Sequence, residues 1–154
     1  MPKRPIRVSI VVFPECDPSL IFGVFDTLWS AGRLWNSVHG LPDAPFFEPQ
    51  LVGADLGPIR LVTGVSVVIE NAISEAPYTD IVFVPNVMIT APEDVSAPDR
   101  RLLAWIRQEY EAGAHIYAAC GGSLVLAAAG LLGGLEATTH WAYAPVLRRQ
   151  FPKV

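Results

Sequence analysis

Cys120 and His140 are the two side chains whose types and spacing could support covalent chemistry. A thiolate adds to an electrophilic carbon, and an imidazole within reach takes up and returns the proton. Cys120 closes the apolar run HIYAAC (115–120) and is followed by Gly121, Gly122 and the helix formers SLVLAAA. A cysteine between a strand and a helix is either a nucleophile held on a sharp turn or a small core residue. The turn favours the thiolate, because it exposes sulfur at a helix N-terminus where unpaired N–H groups carry partial positive charge. Gly121 and Gly122 are the small neighbours that such a turn needs, and the Gly121 N–H is expected to donate to a developing oxyanion. His140 follows in EATTHWAYA, at the expected end of a second short strand on the same rim. Its other reading is a hydrogen-bonded histidine stacked beside Trp141. His39, in a glycine–proline loop, and His115, at a strand start, have no partner by spacing and are read as structural.

The elements that must position these groups are written as alternating strands and helices. IRVSIVVF (6–13) is a β-branched run that ends at Pro14, as expected of a central strand. Asp17-Pro18 pairs an N-cap acceptor with a proline suited to a first helical turn, and predicts a helix to about residue 38. FFEPQLVGA (46–54) reads as a strand that Pro49 confines to an edge or a bulge. Thr63-Gly64 predicts a turn between two short extended pieces, and DIVFV (80–84) predicts a strand that Pro85 ends. After the proline-rich loop TAPEDVSAP, a helix is expected to start within Ser96–Asp99 and to stop at Gly113. HIYAAC is expected as a strand, and a helix follows to Gly130. LEATTH is expected as a brief strand, and WAYAPVLRRQF as a helix interrupted by Pro145.

This pattern predicts an α/β domain with a mainly parallel sheet covered by helices on both faces. In such a sheet, function gathers beyond the carboxyl ends of the strands, where the 14–17 loop, Pro85-Asn86 and Cys120 all fall. The 154 residues are expected as one domain, with 51% hydrophobic and 17% charged residues marking a globular chain. A net charge of −4 and a pI near 5.3 argue against direct nucleic-acid binding, which needs a basic face. Arg148, Arg149 and Lys153 are read as a helix-end charge preference. Two cysteines without a CxxC pair point to a reducing cytoplasm, and no apolar segment is long enough for a membrane span. Neither ligand spacing for a metal nor a phosphate-binding glycine loop is present, so no cofactor is expected.

CGGS followed by LAAAGLLGGLEATTHWAYA resembles the DJ-1/PfpI family of class I glutamine amidotransferase-like proteins. The resemblance is closest to the branch fused to AraC-type transcription regulators. There a CTGS-like elbow, an AAAGLLDGR-like helix end and ATTHW form one run. IVVFPECDPSLIFGVFDTLW and IVFVPN are also similar to that branch, so the resemblance covers residues 6–152. It implies a flavodoxin-like three-layer sandwich, usually dimeric, with the elbow cysteine close to the histidine of TTH. It also implies a further strand and helix, apparently missing after FPKV, and in the regulator branch a helix-turn-helix domain that this chain does not contain.

Enzymes of the family include isocyanide hydratases, amidase-like and glyoxalase-like hydrolases and deglycases, and carry an acid near the start of the first helix. Alignment on GVFD puts Leu20 there, which can neither accept nor hold a thiol proton; Asp17 and Glu15 are the nearest acids. Catalytic relatives often have a glycine pair after the third strand, where this chain has Asn86-Val87. The expected function is therefore small-ligand sensing and homodimerisation for a transcription regulator, with DNA reached only through a domain absent from this chain. The expected pocket lies at the Cys120 elbow, with Asp17, Asn86, Gly121, Gly122 and Trp141 as ligand-binding residues. The alternatives are a cysteine-dependent enzyme using Cys120 and His140, or a thiol redox sensor.

Overall fold

The structure, a computed structural model, describes residues 4–88 and 98–154. Its main sheet has five parallel strands in the order β5-β2-β1-β6-β7. β1 (Ile6–Val11) is central, and Val8, Ile10 and Val11 are almost fully buried, as a strand covered on both faces must be. β2 (Phe47–Gly53) pairs with β1 along its length, from Ile6 opposite Phe47 to Val11 opposite Val52. β5 (Asn71–Ala72) reaches only Val52 and Gly53, so Pro49 sits where β2 has no outer neighbour to need its N–H. On the other side of β1 lie β6 (Ile81–Val84) and β7 (His115–Ala118). The chain therefore winds outward from β1 in one direction and then in the other. Right-handed crossovers running in opposite directions place their helices on opposite faces, which gives the flavodoxin-like arrangement.

α1 (Pro18–Ser30) starts as its sequence directs, with the Asp17 carboxylate accepting from the Ser19 amide at 2.9 Å. The single helix expected to about residue 38 is two. Gly32 adopts φ +80° and its Cα packs against the Ala44 carbonyl, so the chain turns before α2 (Leu34–Val38). β3 (Gly57–Arg60) and β4 (Ser66–Ile69) form an antiparallel hairpin, with Gly64 at φ +89° in the expected turn. The Val62 amide at its tip donates to the Pro14 carbonyl at 2.8 Å. α3 (Arg100–Glu111) is capped by Asp99 and buries Leu102, Trp105 and Ile106; Gly113, at φ +101°, follows it. Most of the proline-rich loop, Ser96 included, lies outside the described residues. α4 (Gly122–Ala128) is buried from Gly122 to Ala127.

The strand expected over LEATTH does not form. Gly134, at φ +79°, donates its amide to the Lys153 carbonyl, and Leu135 turns back onto Leu132, so the segment has no ladder to join. A 3-10 turn (Trp141–Tyr143) then leads into α5 (Ala144–Gln150). Pro145 lies in the first turn of α5, where its missing N–H costs nothing, so it starts that helix and does not interrupt it. Among the described residues no helix is long and apolar enough to cross a membrane.

Asp80 ties the start of β1 to β6. Arg4 donates to it from both terminal nitrogens, at 2.7 and 2.9 Å, and the Arg7 amide at 2.9 Å. The Arg4 guanidinium, with the Arg7 amide, holds the Asp80 carboxyl at about 2 against an ordinary 3.8, despite the upward push of burial. A depressed folded value means that the unfolded chain binds more protons between these two values. The stabilisation is thus fully present above about pH 4 and is lost as pH falls through about 2. Denaturant melts across that window should show stability falling with acid, and Asp80→Asn should flatten that part of the profile. An Asp80→Asn profile parallel to the wild type would remove Asp80 from the account.

Candidate functional site

Cys120 stands at the carboxyl end of β7 with φ +53°, the sole non-glycine residue at positive φ among the described residues. A left-handed β-carbon costs about 1–2 kcal/mol, so the surrounding packing must hold the turn. The strain falls on the cysteine itself; Gly121 and Gly122 have a different task. A β-carbon on Gly121 would lie 2.8 Å from the Tyr143 ring, 2.9 Å from Asn86 Oδ1 and 2.9 Å from Val87. One on Gly122 would lie 2.6 and 2.7 Å from the carbonyls of Pro85 and Val84. Close approach, and not unusual dihedrals, is what requires glycine at these two positions. Ser123 Oγ donates to the Cys120 carbonyl at 3.1 Å, and the thiol is exposed. Cys16 is the opposite case: it is buried, its Sγ faces the Val11 carbonyl at 3.6 Å, and burial pushes its thiol up beyond the usual range.

The loops after β1 and β6 are joined by backbone. Cys16 and Val87 form an isolated antiparallel bridge, Asp17 N–H donates to the Asn86 carbonyl at 2.9 Å, and Met88 N–H donates to that of Glu15 at 2.8 Å. The Asn86 side chain extends this seam to the elbow, since its Oδ1 accepts from Gly121 N–H at 3.0 Å. Its amide also serves the Asp17 carboxylate. Burial pushes the Asp17 carboxyl up, but hydrogen bonds from the Ser19 hydroxyl and amide and from Asn86 outweigh it and hold the group low. The Gly121 N–H expected to face an oxyanion is therefore already donated within the protein.

His140 caps the 3-10 turn, its Nδ1 accepting from the Ala142 amide at 3.3 Å. A neutral imidazole in that role carries its proton on Nε2 and offers no second lone pair to a thiol. Among the described residues no hydrogen bond joins Cys120 to His140, to Asp17 or to any other acid. The first turn of α1, where Leu20 stands, carries no acidic residue. Trp141 is 81% exposed, with its ring 5.3 Å from that of His140. Trp105 is core, whereas Trp29 and Trp35 are exposed. His39 stacks on Trp35 with ring centroids 4.0 Å apart.

Tyr143 was not among the residues that the sequence singled out. Its hydroxyl donates to the Val87 carbonyl at 3.1 Å while its ring covers Gly121. Its spacing from His140 was visible in the sequence, but no local pattern names a partner that lies on another loop.

Removing the Asn86 amide leaves the buried Gly121 N–H without an acceptor, so Asn86→Ala should lower unfolding free energy by about 1–3 kcal/mol. Asn86→Asp keeps an acceptor but sets a second carboxylate against Asp17. Its penalty should be larger at neutral pH and shrink as the pair takes up a proton in acid. Urea melts of both variants across pH measure this; an Asn86→Ala protein as stable as the wild type would show that the linkage contributes nothing.

Residues 44–152 match the DJ-1/PfpI family. The chain is 32% identical over 142 residues to an isonitrile hydratase of Pseudomonas putida, covering 92% of this chain and 55% of that protein. It is 30% identical over 122 residues to the HTH-type transcriptional regulator CdhR of Pseudomonas aeruginosa, covering 79% of this chain and 34% of the regulator. This chain thus spans about half the length of the hydratase and about a third of the regulator. Among solved structures, an AraC family transcriptional regulator from Pseudomonas putida has a TM-score of 0.70 at 18% identity, covering 97% of this chain and 74% of that one. The fold, the elbow run and these matches together make the chain a member of the DJ-1/PfpI family.

Proposed function

We propose that this chain is a small-molecule-binding domain of the regulator kind. The ligand lodges at the rim formed by the loops after β1, β6 and β7, against Cys120, Asn86 and Trp141. The hydrogen bond from Gly121 N–H to Asn86 Oδ1 carries this reading, because it uses the donor that an acyl-transfer-like site would reserve for its oxyanion. Two further engagements support it: Asp17 is held by Ser19 and Asn86, and His140 Nδ1 by the Ala142 amide. Association with a second copy belongs to the same reading, and the exposed Leu34, Trp35, Val38 and Leu41 offer apolar surface for it. DNA would be read through a segment other than the one described.

A thiol enzyme is the second reading, favoured by the likeness to isonitrile hydratase and by an exposed cysteine on a strained turn. Two measurements separate them. In the binding reading, an alkyl isonitrile disappears at the buffer rate in the presence of the chain. His140→Ala also leaves the rate of Cys120 alkylation within about twofold between roughly pH 6 and 9. Turnover that Cys120→Ser abolishes, or an alkylation profile that collapses in His140→Ala, would favour the enzyme. Sedimentation should show a dimer, and a monomer at high concentration would remove the association from the proposal.

A further inference from the structure

Glu15, whose carbonyl is bonded to Met88, also lines a cleft at the carboxyl ends of β1 and β2. The cleft has a volume of about 480 Å³ and lies between the β3–β4 hairpin and the start of α3. This is within the range of small-ligand sites, roughly 300–1,000 Å³. Its apolar lining includes Phe13, Leu56, Ile59 and Leu102, and its ionisable lining is three carboxylates, Glu15, Asp55 and Asp99. Cys120, Gly121, His140 and Trp141 are not part of its wall.

The sign of the ligand follows from how the charges are partnered. Arg101, beside the cleft, donates to Asp55 at 2.9 and 2.7 Å and to Asp99 at 2.9 and 2.6 Å. A guanidinium committed to two carboxylates has little left to offer an anion. Glu15 has no ion-pair partner among the described residues. Three carboxylates against one guanidinium leave an excess of negative charge over an apolar floor.

We propose that this cleft is a second ligand site, separate from the Cys120 elbow, that takes a small cation bearing an apolar body, of the arylalkylammonium class. The apolar body packs on Leu56, Pro58 and Ile59, the part of the apolar lining that is open to solvent, while the ammonium donates to Glu15 and to carboxylate lone pairs that Arg101 leaves unused. The site does not depend on whether the elbow binds a ligand.

Calorimetric titration of the full chain with phenethylammonium, against neutral 2-phenylethanol and anionic phenylacetate of similar shape, tests this. The cation should bind at least about tenfold more tightly than either control. Glu15→Gln, at a partly exposed position, should weaken the cation about fivefold and leave 2-phenylethanol unchanged. Leu56→Arg, also at an exposed position, should abolish cation binding without loss of folding, and Cys120→Ala should not affect it. Equal affinity for phenylacetate or 2-phenylethanol, indifference to Glu15→Gln, or loss of binding in Cys120→Ala would each overturn the proposal. The last of these would place the cation at the elbow and leave the reading of that site standing.

Discussion

One carboxamide ties the loop after β7 to the two loops that the backbone already joins after β1 and β6. Parallel strands deliver their carboxyl ends to a common rim, but nothing in a sheet ladder fixes the loops beyond it. Here the backbone seam between Asp17, Asn86, Glu15 and Met88 joins the first two loops, and Asn86 Oδ1 joins the third through Gly121. The left-handed turn at Cys120 can persist because its neighbours are clamped from several sides: Asn86 and Tyr143 over Gly121, the Val84 and Pro85 carbonyls against Gly122, and the Ser123 hydroxyl on the Cys120 carbonyl. Without that clamp the turn would have to stand on a conformation that an L side chain disfavours.

The same clamp bears on the function proposed for the elbow. A thiol enzyme of the acyl-transfer kind uses a nearby group with a lone pair to spare and an oxyanion donor with nothing else to bind. Asp17, His140 and the Gly121 amide each have another partner. On the proposed reading, three groups that a thiol enzyme would use are thus engaged within the protein, a combination that would suit recognising a molecule. The likeness to both an isonitrile hydratase and a transcriptional regulator fits a framework on which either outcome turns on a few side chains.

Much of the fold was legible because the strong signals here are local. The β-branched run of β1, the Asp17-Pro18 cap, the Asp99 start of α3 and the glycine stop after it are written within a few residues. Where the reading failed, a distant contact decided. Gly32 ends α1 because the loop after α2 returns to it, and LEATTH forms no strand because the C-terminal residues engage Gly134. At the site, residue types and the elbow were visible from the order Cys-Gly-Gly before a helix. The hydrogen bonds that occupy those residues were not, since Asn86 lies 35 positions from Gly121 in sequence and Tyr143 lies 56 from Val87.

The bond between the tip of the β3–β4 hairpin and the Pro14 carbonyl reaches further than its single contact suggests. An excursion outside the main sheet would ordinarily tolerate added or deleted residues at its tip with little effect on the rest of the chain. This one is moored to the loop that carries Cys16 and Asp17, so a change in its length pulls on the seam that sets the elbow. Its spacing is thereby constrained together with residues that it never touches.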